Sequence, residues 1–396
     1  MNANYTTKCC AALLPLVFLA LTASADPGDS TFLLTKEAFR VGDAARVNKG
    51  LESLRGHDLE AWAEYYQVRM HIEEDGAEPA LRDYLSRYPG SFLAERLRGE
   101  WLKVLGRKRQ WETFRREYSR LAQPDQELQC YAWQDRYGQG DLAILDEAKP
   151  VWLAGSDLPD ACSPVTDALV TEKRLNADDV WERIRRLLEA GKTKEAVNAG
   201  RYLPNNQMPD SKTVNLISDK AMKYLALLPG SFDSNRLGRE MAIYAVTKVS
   251  RQDPTEAAAQ LRRIESRLME GERGYAWGQV AWQAAKRHMP EAVGWYELSK
   301  GANQSEEVLT WRARAALRAL DWSAVRRAIE QMPSTLANQP DWLYWRGRAL
   351  AAQGKREEAL ALYRRIGGQP TFYSNLADEE LGRPINVPPR AAPPTN

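Results

Sequence analysis

Asp341–Gly354, DWLYWRGRALAAQG, runs directly into Lys355–Ile366, KREEALALYRRI. The pair reads as two short amphipathic helices with a turn at Gly354–Lys355. The first helix carries a large aromatic, Trp345, followed by small residues at Gly347 and Ala349. The second carries Ala359 and Tyr363, four positions apart and so on one face. Small residues at a helix crossing let two backbones approach, and the aromatic fills the gap to the next pair. That is the logic of a helical-hairpin repeat.

Working outward, the same pattern recurs. Trp277, Trp311 and Trp345 are spaced by 34 residues. Ala281, Ala315 and Ala349 keep that register, as do Trp295, Ile329 and Tyr363 on the second helix of each unit. A period of 34 is that of tetratricopeptide-like hairpins. The full consensus of such repeats is missing, so the expected fold is all-α: a superhelix, or solenoid, of degenerate tetratricopeptide-like hairpins curved into a ring. Period-2 alternation over a long run does not occur, which argues against a sheet.

Boundary signals agree. Asp253-Pro254-Thr255-Glu256 reads as a helix start, with Asp as cap, Pro at the first helical position and Glu three residues on. Asp321 is a second cap. Gly191, Gly354 and Gly382 fall where helices should stop. In the first half, Trp62, Tyr65 and Tyr66 with Ala80–Tyr88 suggest one hairpin. Leu93–Leu105 with Trp111–Leu121 suggest another. The tetrapeptide Pro-Gly-Ser-Phe occurs at Pro89–Phe92 and again at Pro229–Phe232, each time with Ser placed to cap a following helix. Residues 149–165, with Pro150, Pro159 and Pro164, read as an irregular connection.

The two ends differ from the body. Cys9–Leu21 is a short apolar run after Lys8, followed by Ala23-Ser24-Ala25. That is the pattern of a secretory leader cut before Asp26, too short for a membrane span. From Arg383 on, RPINVPPRAAPPTN holds five prolines in 14 residues, which cannot continue a helix. The expected organisation is therefore a leader over 1–25, a helical body over 26–383 and a Pro-rich disordered tail over 384–396.

Export places Cys130 and Cys162 in an oxidising compartment. They read as one disulfide, Cys130–Cys162, or as two free buried thiols.

Charge excludes some functions. Lys+Arg number 55 against 53 Asp+Glu, a balance unlike a dedicated nucleic-acid binder or a polybasic membrane surface. The three histidines, His57, His71 and His288, are not spaced as metal ligands, so no metal and no cofactor is expected. Gly191-Lys192-Thr193 resembles the end of a phosphate loop, but Arg186 stands where its first glycine is required. Arg262-Arg263, Arg326-Arg327 and Arg364-Arg365 recur on second helices. They could hold carboxylates of an anionic polymer, or simply face solvent. Trp342, Tyr344, Phe372 and Tyr373 could stack on sugar rings or serve as core. The binding candidates are thus Arg326, Arg327, Trp342, Tyr344 and Tyr373.

The stretch from Trp342 to Pro384, WLYWRGRALAAQGKREEALALYRRIGGQPTFYSNLADEELGRP, resembles the end of the superhelical N-terminal domain of soluble lytic murein transglycosylases. Trp345, Arg348, Ala349, Gly354, Ala359 and Tyr363 carry the resemblance, with Phe372-Tyr373, Leu376-Ala377 and Leu381-Gly382. Trp311, Arg314, Trp322 and Met332-Pro333 look like the preceding unit. The resemblance implies a periplasmic protein of peptidoglycan metabolism. Such enzymes cleave glycan strands between N-acetylmuramic acid and N-acetylglucosamine, leaving a 1,6-anhydro product, through a separate lysozyme-like domain after the helical one. The motifs of that domain do not occur here: Glu52-Ser53 and Glu265-Ser266 lack the neighbours of the catalytic Glu-Ser. No catalytic residue is carried over. The expectation is a non-catalytic helical part of this family, with peptidoglycan strands or cell-wall synthesis proteins as partners; the alternatives are an active or fragmentary lytic transglycosylase and a generic periplasmic tetratricopeptide-like adaptor.

Overall fold

The structure, a computed structural model, describes residues 27–385 and 390–392. Residues 1–26, which carry the leader reading, lie outside the described residues, as do 386–389 and 393–396 of the tail. Among the described residues there are only helices, turns and irregular segments, and no strand. No helix there is long and apolar enough to cross a membrane.

The chain forms two compact units. One ends at Leu142 and takes in Leu158–Val165; the other comprises Ala143–Asp157 and the chain from Thr166 on. The first unit holds α1 (Pro27–Arg40), α2 (Ala44–Ser53), α3 (Glu60–Met70), α4 (Glu78–Arg87), α5 (Phe92–Arg107), α6 (Trp111–Tyr118) and α7 (Gln126–Gly138). Then follow α8 (Ile144–Leu153), α9 (Ser163–Thr171), α10 (Ala177–Glu189), α11 (Thr193–Ala199) and α12 (Ser211–Ala226). The chain continues through α13 (Arg236–Ser250), α14 (Pro254–Ile264), α15 (Glu270–Lys286), α16 (Glu291–Glu297), α17 (Glu306–Arg318) and α18 (Trp322–Glu330). It closes with α19 (Ser334–Ala337), α20 (Pro340–Ala352), α21 (Arg356–Ile366) and α22 (Phe372–Glu380).

The 34-residue period corresponds to three hairpins, α15–α16, α17–α18 and α20–α21, each packed on its own partner and on the next pair. Ala281 and Ala349 are fully buried at the crossings, and Trp295, Ile329 and Tyr363 are buried on the second helices. At Gly347 the reason for a small residue is explicit. A Cβ there would run into Cε1 of the Tyr363 ring. Trp345 packs against two cores, that of α17, α18 and α20 and that of α20, α21 and α22.

The turns explain why the repeat is degenerate in sequence. Gly354 takes the left-handed conformation between α20 and α21, but His288 and Leu320 take it in the two preceding hairpins. The same hydrogen bond closes all three turns: Lys355 N to Leu350 O, Asp321 N to Ala316 O and Met289 N to Ala284 O. Backbone geometry recurs where the glycine that usually marks it does not.

The sequence caps hold at Asp253, whose side chain accepts from the N–H groups of Thr255 and Glu256, and at Asp321, which accepts from Ala324. The two Pro-Gly-Ser-Phe segments diverge. Ser91 caps α5, and Phe92 is 71% exposed. Ser231 caps nothing with its side chain: Phe232, 6% exposed, opens a short 3-10 turn, and Asn235 caps α13 instead. Burial of the second Phe ring, under the Arg267 guanidinium at 4.4 Å, draws the chain away from a helical start. The expected irregular connection over 149–165 is also shorter than its prolines suggest. α8 runs through Pro150 to Leu153, because burying Ile144, Leu145, Ala148 and Trp152 outweighs one forfeited helical hydrogen bond.

In the first unit, Cys130 of α7 is bonded to Cys162, with their Cα atoms 4.9 Å apart. Beside the bridge, the Gln134 side-chain amide donates to the carbonyl of Ala161 at 2.7 Å.

Candidate functional site

A strongly charged concavity of the second unit lies among α10, α13, the start of α15 and the turn after α16. It is a cleft of about 500 Å³. Helical spacing brings its charges together. Arg185 and Arg186 are neighbours on α10, and Arg236, Arg239 and Glu240 occupy one turn of α13. Arg185 grips Glu240 with two hydrogen bonds of 2.8 Å each and lies over the Tyr275 ring, 4.3 Å from its centre. Arg236 reaches the same carboxylate at 3.2 Å and also bonds Asp178. Arg239 pairs with Glu272 at 2.8 Å, and Arg186 with Glu182 at 3.2 Å. Four guanidinium groups therefore meet four carboxylates. The wall offers fixed donors and acceptors rather than an uncompensated positive field.

Behind this wall sits Glu189, the last residue of α10. Its Oε1 accepts from the Tyr275 hydroxyl and from the Gln279 amide, each at 2.8 Å. Burial raises the Glu189 carboxyl above its usual range; the Arg186 charge and the hydrogen bonds from Tyr275 and Ser305 oppose the rise without cancelling it. Burial, together with the Glu189 charge, also pushes the Tyr275 phenol well above its ordinary value. Arg251 donates to the carbonyls of Leu188 and Glu189, closing the end of α10.

A carboxyl raised in the folded state holds its proton more tightly there than in the unfolded chain. Its stabilising contribution is complete below the ordinary carboxylate range and fades as pH climbs through the raised value. Glu189→Gln keeps the accepting oxygen and removes the charge. The variant should melt at or above wild type at about pH 8, and its melting temperature should change less between about pH 5 and pH 8. Melting curves across that range check this; a variant destabilised equally at every pH would refute it.

The sequence candidates are spread differently. Trp342 and Tyr344 are each 4% exposed. Trp342 belongs to the core of α17, α18 and α20, and Tyr344 packs on Tyr363 and Tyr373 with ring centres 5.8 Å apart in each case. Their ring faces are spent on packing. Tyr373 is half-buried, Arg326 is partly buried, and Arg327 is exposed, 3.5 Å from Glu297. None of these lines the α10–α13–α15 cleft. Several of the contacts here join positions far apart in sequence, such as Arg239 with Glu272, 33 apart, and Tyr275 with Glu189, 86 apart. The only local signal was the pair Arg185-Arg186, which lies on the first helix of its hairpin, whereas the recurring pairs lie on second helices.

In the first unit, Trp62 and Tyr66 join Phe32 and Phe39 around a groove of about 840 Å³. The Phe39 and Tyr66 rings stack at 4.6 Å.

No family model matches the sequence. Against known proteins, the chain is 23% identical over 387 residues to the soluble lytic murein transglycosylase of Escherichia coli K12, covering 96% of this chain and 59% of that protein. The same identity and coverage hold for the soluble lytic murein transglycosylase of Salmonella typhimurium. Among solved structures, an inactive mutant of the lytic transglycosylase Slt from Pseudomonas aeruginosa superposes with a TM-score of 0.54 at 24% identity, over 89% of this chain and 58% of that one. That superposition speaks for the fold. The chain spans 59% of the length of the curated relatives it matches. Over nearly its whole length, this chain of helical hairpins is homologous to the soluble lytic murein transglycosylases.

Proposed function

We propose that the chain acts in the periplasm as a peptidoglycan-associated helical body. It binds glycan strands, or the proteins that build them, without cleaving them itself. The observation that carries this reading is the homology to soluble lytic murein transglycosylases across 96% of the chain. The relatives' name makes murein the polymer they act on. Two further features support the reading. The leader pattern over residues 1–25 argues for export, and the formed Cys130–Cys162 bridge suits an oxidising compartment. The helical body over 26–383 is taken as the binding part.

The non-catalytic half of the reading rests on Glu189. An acid that protonates a glycosidic oxygen must face a cleft open to the sugar, with a second carboxylate or a water opposite. Glu189 has the raised carboxyl but gives its Oε1 to Tyr275 and Gln279, and the nearby Glu240 is bound by Arg185 and Arg236.

The test is co-sedimentation with purified peptidoglycan sacculi, beside murein zymography of the same preparation. Retention above an unrelated periplasmic protein, with no clearing of the gel, is the expected result. Release of anhydro-muropeptides would overturn the non-catalytic part. Absence of retention, with no crosslinked cell-wall protein, would overturn the whole.

A further inference from the structure

The turn between α16 and α17 is held in place by α15. Gly274 and Gly278 lie four residues apart on one face of that helix, and a Cβ on either would collide with the turn: at 2.9 Å from the Lys300 carbonyl for Gly274, and against the Gln304 amide for Gly278. Into this notch the Gln304 side chain, 7% exposed, donates to the carbonyls of Gly274 and Tyr275. The turn is therefore seated rigidly, and it leaves polar groups unspent. The backbone N–H groups of Gly301, Ala302 and Asn303 have no protein partner among the described residues.

Those three residues face two concavities at once. On one side is the cleft of α10, α13 and α15 described above. On the other is a second cleft of about 500 Å³, lined by Leu309, Arg312, Gln331 and Pro333. Gly301, Ala302 and Asn303 line both. Each cleft falls in the roughly 300–1,000 Å³ range of small-ligand sites. Their linings share a character. Planar polar groups are fixed by mutual pairing: Arg239 with Glu272 on one side, Arg312 with Glu297 and Gln331 on the other. Between them lie apolar patches, including Met269, which is 62% exposed.

We propose that the two clefts, joined across Gly301–Asn303, form one elongated site for a strand of N-acetylated amino sugars. Paired guanidinium and carboxylate groups present donors and acceptors together, which suits hydroxyl-rich rings better than a simple anion. The free amides of the turn meet acceptors, namely acetamido carbonyls or carboxylates carried on the strand. Met269, Leu309 and Pro333 meet the C–H faces of the rings and the acetamido methyls. The inference rests on the cell-wall reading above and assigns it a place.

Two substitutions block the site from two different elements. Asn303 is exposed on the turn, and Gly271 is exposed on the first turn of α15, where an added Cβ would meet no atom within 4 Å. Asn303→Trp and Gly271→Trp fill the clefts from these points. Glu357→Ala, on the exposed face of α21, is the control. The full chain and its variants are tested for retention on sacculi and, by calorimetry, for binding of an N-acetylglucosamine tetramer. Melting curves verify the fold of each. Both tryptophan variants should lose about tenfold in affinity, equivalent to about 1.4 kcal/mol, while the control binds as wild type. Wild-type retention undiminished by either block would place the glycan elsewhere and overturn this site, leaving the cell-wall reading standing. No retention of the wild type would overturn this site, and, with no crosslinked cell-wall protein, the cell-wall reading as well.

Discussion

Replacing Cys130 and Cys162 together by alanine should lower the stability of the first unit by about 3–4 kcal/mol. The bridge joins positions separated by 32 residues, and in the chain-entropy picture a crosslink of that span removes that much conformational freedom from the unfolded chain. Both sulfurs are buried, Cys130 at 1% and Cys162 at 3% exposure, so alanine also leaves a small void at each end. The Gln134 to Ala161 hydrogen bond survives the substitution and keeps the short turn Asp160–Cys162 near α7. The loss should therefore appear as a lower unfolding midpoint without a change of helix content. Urea titration followed by circular dichroism, with the wild type in parallel under reducing conditions, measures it. Equal midpoints for oxidised wild type and the double variant would show that the crosslink contributes nothing.

A loss of similar or larger size is expected at Glu240. It is 3% exposed and is the common partner of Arg185 and Arg236. Glu240→Gln removes the charge that compensates Arg185, whose side chain is only 17% exposed. Breaking one side of a buried pair costs about 3–5 kcal/mol, because the remaining charge stays desolvated. Removing both sides is cheaper. Arg185→Met combined with Glu240→Leu should recover much of the loss, since apolar replacements of a buried pair are often close to neutral. Thermal melts of these proteins and of the single variants Arg185→Met and Glu240→Leu decide the matter. If the double variant is as unstable as the sum of its parts, Arg185 and Glu240 do not act as a pair. Glu189 differs: guanidinium groups hold the Glu240 carboxylate, whereas burial raises the Glu189 carboxyl and the neutral donors Tyr275 and Gln279 hold its oxygen.

What the sequence announced was whatever is local or periodic. The recurrence of Trp277, Trp311 and Trp345 with Ala281, Ala315 and Ala349 marks the hairpins, because a helix crossing must place small residues at a fixed interval. Asp253 and Asp321 are legible as caps because capping is satisfied within three residues. Ser231 looked like Ser91 and behaves differently, since the fate of Phe232 depends on Arg267, 35 positions away in the chain. The ion pairs around Glu240 were invisible for the same reason: Arg185 reaches it across 55 residues. Trp342 and Tyr344 read as core or as sugar platforms, and aromatics at helical spacing are more often core. Only packing shows that both rings are enclosed.

Each hairpin from α15 to α21 spends its apolar surface on its own partner helix and on the pair beside it. A gene encoding such a body could gain or shed one hairpin and disturb only the two seams on either side. Length in this architecture is thus free to vary by whole modules, while a deletion of a few residues inside a helix would misalign every contact along that seam.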